Sequence, residues 1–422
     1  MTALSVGYGE RVITPPLGVD LCGYGFYLDR KAESVLDDLK VRVLVLRARR
    51  TTIVLVGLDL IGLSEAESDR LRLEIALRLA VPRTNILLAC THTHSGPATQ
   101  TLPGMGEMDA AYMKTMRTAV LAAAQEAASA QWPASMSLAF EAIEPLGFDR
   151  RRRDFAGIDP VLKLAVFETP ERKLFLWSYA CHAVVLGPEK RVSADWPGAV
   201  IRAVEREGHS AVFLQGFCGD IDPVTQLNRW GKGTEDDLAF YGDLVARRIL
   251  KAGRWTEPVT APVLHAAETR IALPYRVDTP REIDQKAAAF ARLWAEFPGG
   301  ARFAAEWKAA ASARRDEFLK SPEMTGVPVQ AMAVGDMKIL ALPGEVFSGY
   351  GLNLRKRSPR LWPVGYANGS VGYIPTRKAY RDPTDYAAWA APMFDSVFPF
   401  TPGVGARLMR AARRVLSAVS RE

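Results

Sequence analysis

"VRVLVLRARRTTIVLVGLDLIGLSEAESDRLRLEIALRLAVPRTNILLACTHTH", residues 41–94, holds the alternation of apolar runs and a polar helix-like segment from which the architecture follows. Residues 41–48 and 52–57 are apolar, rich in β-branched side chains and separated by Arg49 and Arg50, the pattern of two buried strands joined by a short turn. Asp59 falls at the carboxyl end of the second strand. Ser64, followed by Glu65 and Glu67, marks a helix start, and the helix it opens runs to about residue 80. A short apolar strand over residues 85–89 then delivers His92 and His94. The unit is strand, helix, strand.

The same order recurs downstream. Residues 173–180 predict a strand ending at Cys181 and His182, residues 197–208 a helix with Pro197 in its first turn and Gly208 at its end, and residues 211–217 a strand running into "CGDIDP". A further strand, "KILAL", leads into "PGEVFSGYGLNLR", where Glu345 is expected to open a helix. Functional groups in open α/β sheets gather beyond the carboxyl ends of strands. His92, His94, His182, Asp220, Asp222 and Glu345 all hold such positions. The fold class expected is α/β, mixed β-sheets covered by helices, in one domain spanning residues 1–422. Residues 280–320, rich in Ala, Arg and Glu and broken by "PGGA", predict a helical insertion or cover without chemistry of its own. Residues 404–420 predict a basic amphipathic helix with Leu408, Ala412, Val415, Leu416 and Val419 on one face, docked on its own core rather than on a membrane.

With 422 residues, 48% of them hydrophobic, the chain can bury a large core, which excludes a disordered protein. Its net charge of +7 comes from short basic clusters such as "DRRRRD" with carboxylates alongside, so solvated surface is expected and no nucleic-acid partner. The start resembles no signal peptide and no run of about 18 apolar residues occurs, which places the expected compartment in the cytoplasm. Four scattered cysteines, Cys22, Cys90, Cys181 and Cys218, predict reduced thiols.

Three of only five histidines lie at strand ends beside carboxylates. Residues two apart on an extended segment face the same side, so "HTH" can present two imidazoles to one pocket, one for a metal and one for protons. His209, after a helix end, and His265 lack that context and are read as structural.

Six blocks, "ITPPLGVDLCGYG", "THTHSGP", "YACHAVVLGPEKRVSADWPG", "FLQGFCGDIDP", "LPGEVF" and "GYANGSVGYIPT", occur in the order found in the neutral, non-lysosomal ceramidases, and over residues 5–390 the chain resembles that family's catalytic domain. The resemblance implies a neutral-ceramidase-like α/β domain with one zinc ion held by His92, His182, Glu345 and Tyr373. It further implies that His94 lies near the water, that Arg150, or Arg151 one register on, contacts the substrate, and that Tyr386 lines the pocket. Two imidazoles and a carboxylate that leave a position for water also form, without the family, the pattern of a catalytic rather than a structural zinc site.

One departure from the family matters. Where ceramidases carry serine in "GDxSP", this chain has Asp222 in "GDIDP". A carboxylate cannot accept an acyl group without forming an anhydride, so serine-type covalent chemistry is not expected. Asp222 is read as general base or metal ligand, Asp220 as a structural cap, and Asp195 as orienting either a ligand or a loop. A second metal on Asp220 and Asp222 is the alternative stoichiometry. The expected activity is zinc-dependent hydrolysis of an amide, or next an ester or lactone, in a small N-acyl or cyclic amide compound. Asp222 or His94 moves the proton and Arg150 steadies the anionic intermediate. The alternatives are a ceramidase acting on N-acylsphingosine, a metal-containing binding protein without turnover, and a metal-dependent isomerase or lyase. The C-terminal β-sandwich of full-length ceramidases is not expected within these residues.

Overall fold

Strand periodicity explains the layering. In the strand Lys40–Ala48 (β2), Val41, Val43 and Val45 enter one apolar cluster while Leu44 and Leu46 enter another, so the strand is buried on both faces. The computed structural model describes residues 4–260, 262–395 and 397–420. Leu4–Val12 (β1) and Thr51–Leu58 (β3) flank β2 antiparallel, and Ile86–Cys90 (β4) joins β3 in parallel. Gln131–Ala142 (β5), Val161–Glu168 (β6), Lys173–Tyr179 (β7) and Ser210–Gln215 (β8) complete a sheet of order β8-β7-β6-β5-β1-β2-β3-β4, with a short ninth strand on β5. The β7–β8 pair is parallel. A second, four-stranded sheet is built from Leu264–Pro274 (β9), Glu323–Val334 (β10), Met337–Ala341 (β11) and Leu361–Val364 (β12). Leu44, Leu55, Leu176 and Leu214 of the large sheet share one buried cluster with Met332, Val334, Ile339 and Trp362 of the small one. The protein is therefore mixed α/β, with two face-packed mixed sheets.

Helices cover the outer faces. Glu65–Leu79 (α1) begins where its sequence signals place it, with Ser64 Oγ accepting from the Glu67 N–H at 3.2 Å. Leu71 and Ile75 of α1 and Met116, Val120 and Ala124 of Ala110–Ser129 (α2) pack on the valine face of β2 and β3. Asp195–Arg206 (α3) and Glu235–Ala252 (α4) cover β7 and β8. Pro280–Leu293 (α5), started by a Thr279–Glu282 capping box, and Gly300–Lys320 (α6) bury Ile283, Trp294, Phe303 and Trp307 against Phe26 and Phe394. Val404–Ala418 (α7) lays Leu408, Ala412 and Val415 on Val327 and Val329 of β10. No helix among the described residues is long and apolar enough to cross a membrane.

Two local expectations are corrected. Glu345 opens no helix: Glu345–Val346 pairs in parallel with Tyr373–Ile374, the Glu345 N–H donates to Gly372 O at 2.9 Å, and the helix begins only at Ser348. The "HTH" segment is not extended either. His92 has φ 65°, a left-handed kink directly after β4.

Glu65 gives a stability prediction. Burial pushes its carboxyl up to about 7, and its Oε1 has no hydrogen-bond partner among the described residues. A carboxyl raised in the fold contributes fully below its unfolded pKa of roughly 4.3, and that contribution is lost as pH rises through about 7. Glu65→Gln is thus expected to be more stable than wild type at pH 8.5, by about 2 kcal/mol after allowance for partial exposure, and equal to it near pH 4.5. Urea unfolding at the two pH values measures this; a pH-independent difference would refute it.

Candidate metal centre

Three strand ends meet at one point. His92 follows β4, His182 follows β7, and Gln215 ends β8. The fully buried Gln215 amide donates to Thr91 O (3.0 Å) and Cys181 O (2.9 Å), the carbonyls just before the two histidines, and so clips their segments together. His92 Nδ1 lies 2.6 Å from Ile61 O and His182 Nδ1 3.0 Å from Ile221 O. A ring N–H facing a carbonyl must be the donor, which leaves Nε2 of each imidazole as the ring atom turned toward Glu345. Glu345 Oε2 sits 3.0 Å from His182 Nε2 and 3.5 Å from His92 Nε2. Among the described residues these three form a group whose donor atoms all lie within 4.8 Å of one another.

The donor set fits a metal ion. Two neutral nitrogens and a carboxylate at these separations suit one ion with bonds of about 2.0–2.2 Å, and the backbone carbonyls behind the imidazoles are the outer contacts that zinc histidines use. The charges agree. Burial would raise the Glu345 carboxyl, yet His92 and His182 hold it well below the usual carboxylate range. Burial opposes a charged His182, yet Cys218 and Glu345 raise it well above the ordinary imidazole value. The cluster attracts positive charge.

His94 stands beside this group, its Nε2 3.1 Å from His92 Nε2. Its Nδ1 accepts from the Tyr24 N–H at 3.3 Å, and Arg30 Nη2 donates to its carbonyl at 3.0 Å. A Cβ on Gly23, at φ 97°, would fall 2.5 Å from His94 Cγ, so only glycine lets this backbone approach the ring. Burial, then His92 and His182, hold the His94 imidazole well below its usual range, so it is neutral.

On the other side Arg150 Nη2 donates to Tyr373 Oη and to Gly219 O, both at 2.9 Å, and Nη1 lies 3.4 Å from Asp222 Oδ1. Tyr373 is the bridge partner of Glu345. The Arg150 guanidinium also lies 5.7 Å above the ring of Tyr386, which is 43% exposed. Of the two arginine registers, Arg150 meets Tyr373 and Asp222, whereas Arg151 pairs with Asp385 at 2.5 Å. Asp222 Oδ1 is 3.7 Å from His182 Nδ1, the edge of the ring opposite Glu345, and is outside the three-donor group. Asp220 Oδ1 accepts from the Ser348 N–H at 2.7 Å, which occupies it with the helix start. Asp195 accepts from the Val185, Leu186 and Trp196 N–H groups and so holds the loop after His182. His209 packs on Phe175, and His265 lies in β9.

Sequence reasoning missed two residues. Gln215 lay inside a quoted block, but the carbonyls it joins, Thr91 O and Cys181 O, are distant in the chain and meet only through folding. Tyr366, in "GYANG", stacks on the His92 ring at 4.1 Å and 25°, with its hydroxyl 3.3 Å from Glu345 Oε2. No spacing in the chain announces either contact.

His92, His94, His182, Glu345, Arg150, Asp222, Tyr373 and Tyr386 line a cavity of about 970 Å³. Phe26, Leu102, Met105, Phe394 and, from the turn between α5 and α6, Trp294 and Phe297 supply apolar wall, so the helical pair expected to be inert borders the site.

No protein-family model matches the sequence, and no curated protein does. Among solved structures, the chain is similar over its whole length to 74% of the neutral ceramidase from Pseudomonas aeruginosa, with a TM-score of 0.76 and 17% identity. It is likewise similar to 76% of a ceramidase complexed with C2, with a TM-score of 0.76 and 16% identity. The chain has the fold of the neutral ceramidases.

Proposed function

We propose that this protein is a metal-dependent hydrolase that cleaves an amide bond, or next an ester or lactone, in a small N-acyl or cyclic amide compound. The observation that carries the reading is the convergence of the His92 and His182 Nε2 atoms with the Glu345 carboxylate in a half-apolar cavity, with Arg150 and His94 beside them. His92, His182 and Glu345 would hold one zinc ion, with Tyr373 as a fourth donor. When bound, such an ion supplies Lewis acidity toward an acyl oxygen and lowers the pKa of water to about 7.

The chain's own groups do the rest. Arg150, oriented by Gly219 O and Asp222, offers fixed positive charge where an acyl oxygen gains negative charge. His94, neutral and with Nδ1 occupied by Tyr24, holds its proton at Nε2, facing the cluster, for exchange with the reacting groups. Asp222, whose Oδ1 lies 3.4 Å from Arg150 Nη1, is the second proton acceptor in this reading. Tyr386 and the aromatic wall bind the acyl or ring portion.

The fold favours a second reading, an N-acyl lipid amide such as N-acylsphingosine, since the two solved structures named above are of ceramidases. Asp222 in place of the family serine weighs against it. The test is incubation of the zinc-loaded protein with N-acyl amino acids, lactams, lactones and N-acylsphingosine, with products weighed by mass spectrometry. The expected result is one added water, carried by a single ring-opened product or shared between the two products of an acyclic amide, with turnover lost with chelator and restored by zinc. Zinc uptake with no hydrolysis of any member would leave a binding protein, and products without added water would indicate an isomerase or lyase.

A further inference from the structure

We infer that Tyr366 is a positioning residue that sets the affinity of the metal centre, an inference that rests on the metal-site reading above. Its side chain touches both kinds of ligand at once. The ring stacks on His92 and the hydroxyl reaches Glu345 Oε2 at 3.3 Å, His182 Nε2 at 3.4 Å and Cys218 Sγ at 3.5 Å. It is 3% exposed, so these contacts are made away from competing water.

The backbone around Tyr366 fixes the ring against both segments. The Cys90 N–H donates to Tyr366 O (3.1 Å), the Asn368 N–H to Leu88 O (2.8 Å), and the Leu88 N–H to Asn368 Oδ1 (3.0 Å), which stitches residues 366–368 to the strand that delivers His92. The Tyr366 N–H donates to Gly344 O at 3.1 Å, directly before Glu345. Tyr366 itself has φ 50°, a conformation non-glycine residues rarely adopt. The fold holds a bulky side chain in that backbone state, and the result is a brace between the ring of one ligand and the carboxylate of another. Two donors from segments far apart in the chain keep their separation because one rigid group spans them.

Outer contacts of this kind change metal affinity by roughly 10- to 100-fold. Tyr366→Phe keeps the stacked ring and deletes only the hydroxyl, and Tyr366→Leu deletes both. The experiment is competition for zinc chloride between the full-length protein and a chromophoric chelator, with apo melting curves recorded alongside. The expected result is that the zinc dissociation constant rises about 10-fold or more in Tyr366→Phe and further in Tyr366→Leu, with the apo melting temperature of Tyr366→Phe unchanged. A smaller rise in a folded Tyr366→Phe overturns the inference and leaves the metal reading intact. Absence of zinc uptake by wild type overturns the metal reading itself. Should Tyr366→Phe melt early, the visible spectrum of the cobalt-loaded protein decides: bands unchanged from wild type overturn the inference, and shifted bands support it.

Discussion

Replacing His92 or His182 with alanine is expected to yield a folded protein that contains no zinc and hydrolyses nothing. Each substitution removes one of the three donor atoms that lie within 4.8 Å of one another, and leaves only two of that group. The lost ligand is also the pre-oriented kind, with its tautomer fixed by Ile61 O or Ile221 O, so the remaining pair would close on an ion without that preorganisation. Elemental analysis of protein purified without added metal measures the effect, with about one zinc per chain expected in wild type. Calorimetry gives an independent readout, because a ligand bound only by the native state raises stability by RT ln(1 + [L]/Kd). Zinc should raise the melting temperature of wild type and leave both variants unmoved. Near-stoichiometric zinc in either variant would refute the proposed ligand set.

His94→Ala is expected to behave differently, keeping the metal while turnover falls by roughly 10²- to 10⁴-fold, the range for loss of a positioned proton-transfer group. The distinction rests on geometry. His94 Nδ1 is occupied by the Tyr24 N–H, no hydrogen bond among the described residues ties its ring to Glu345, and its ring centre is 6.2 Å from that of His182. Its Nε2 nonetheless faces the cluster across 3.1 Å. Single-turnover kinetics on any substrate found in the hydrolysis panel, with zinc measured on the same sample, tests this. A His94→Ala protein as free of metal as His92→Ala would reverse the assignment within "HTH", and one with full activity would remove His94 from the chemistry.

The sequence by itself determined the layers and the strand ends. The apolar run over residues 41–48, the Ser64 cap and the apolar runs that precede His92, His182 and Asp220 are local signals, because strand and helix patterns are set within a few residues. Local signals also placed His92, His182 and Glu345 after apolar strand-like runs, which is why they were legible as candidates in the chain itself. Their convergence was not. It depends on Gln215 joining Thr91 O to Cys181 O, on the left-handed turn at His92, and on the Glu345–Tyr373 bridge that stands where a helix start was expected. Tertiary structure likewise decided that Arg150 faces Tyr373 while Arg151 turns to Asp385, that the turn after α5 walls the cavity, and that Tyr366 spans His92 and Glu345. The physical reason is the same in each case: these contacts join groups far apart in the chain, and side-chain packing and buried hydrogen bonding select them only after the sheets have closed on each other.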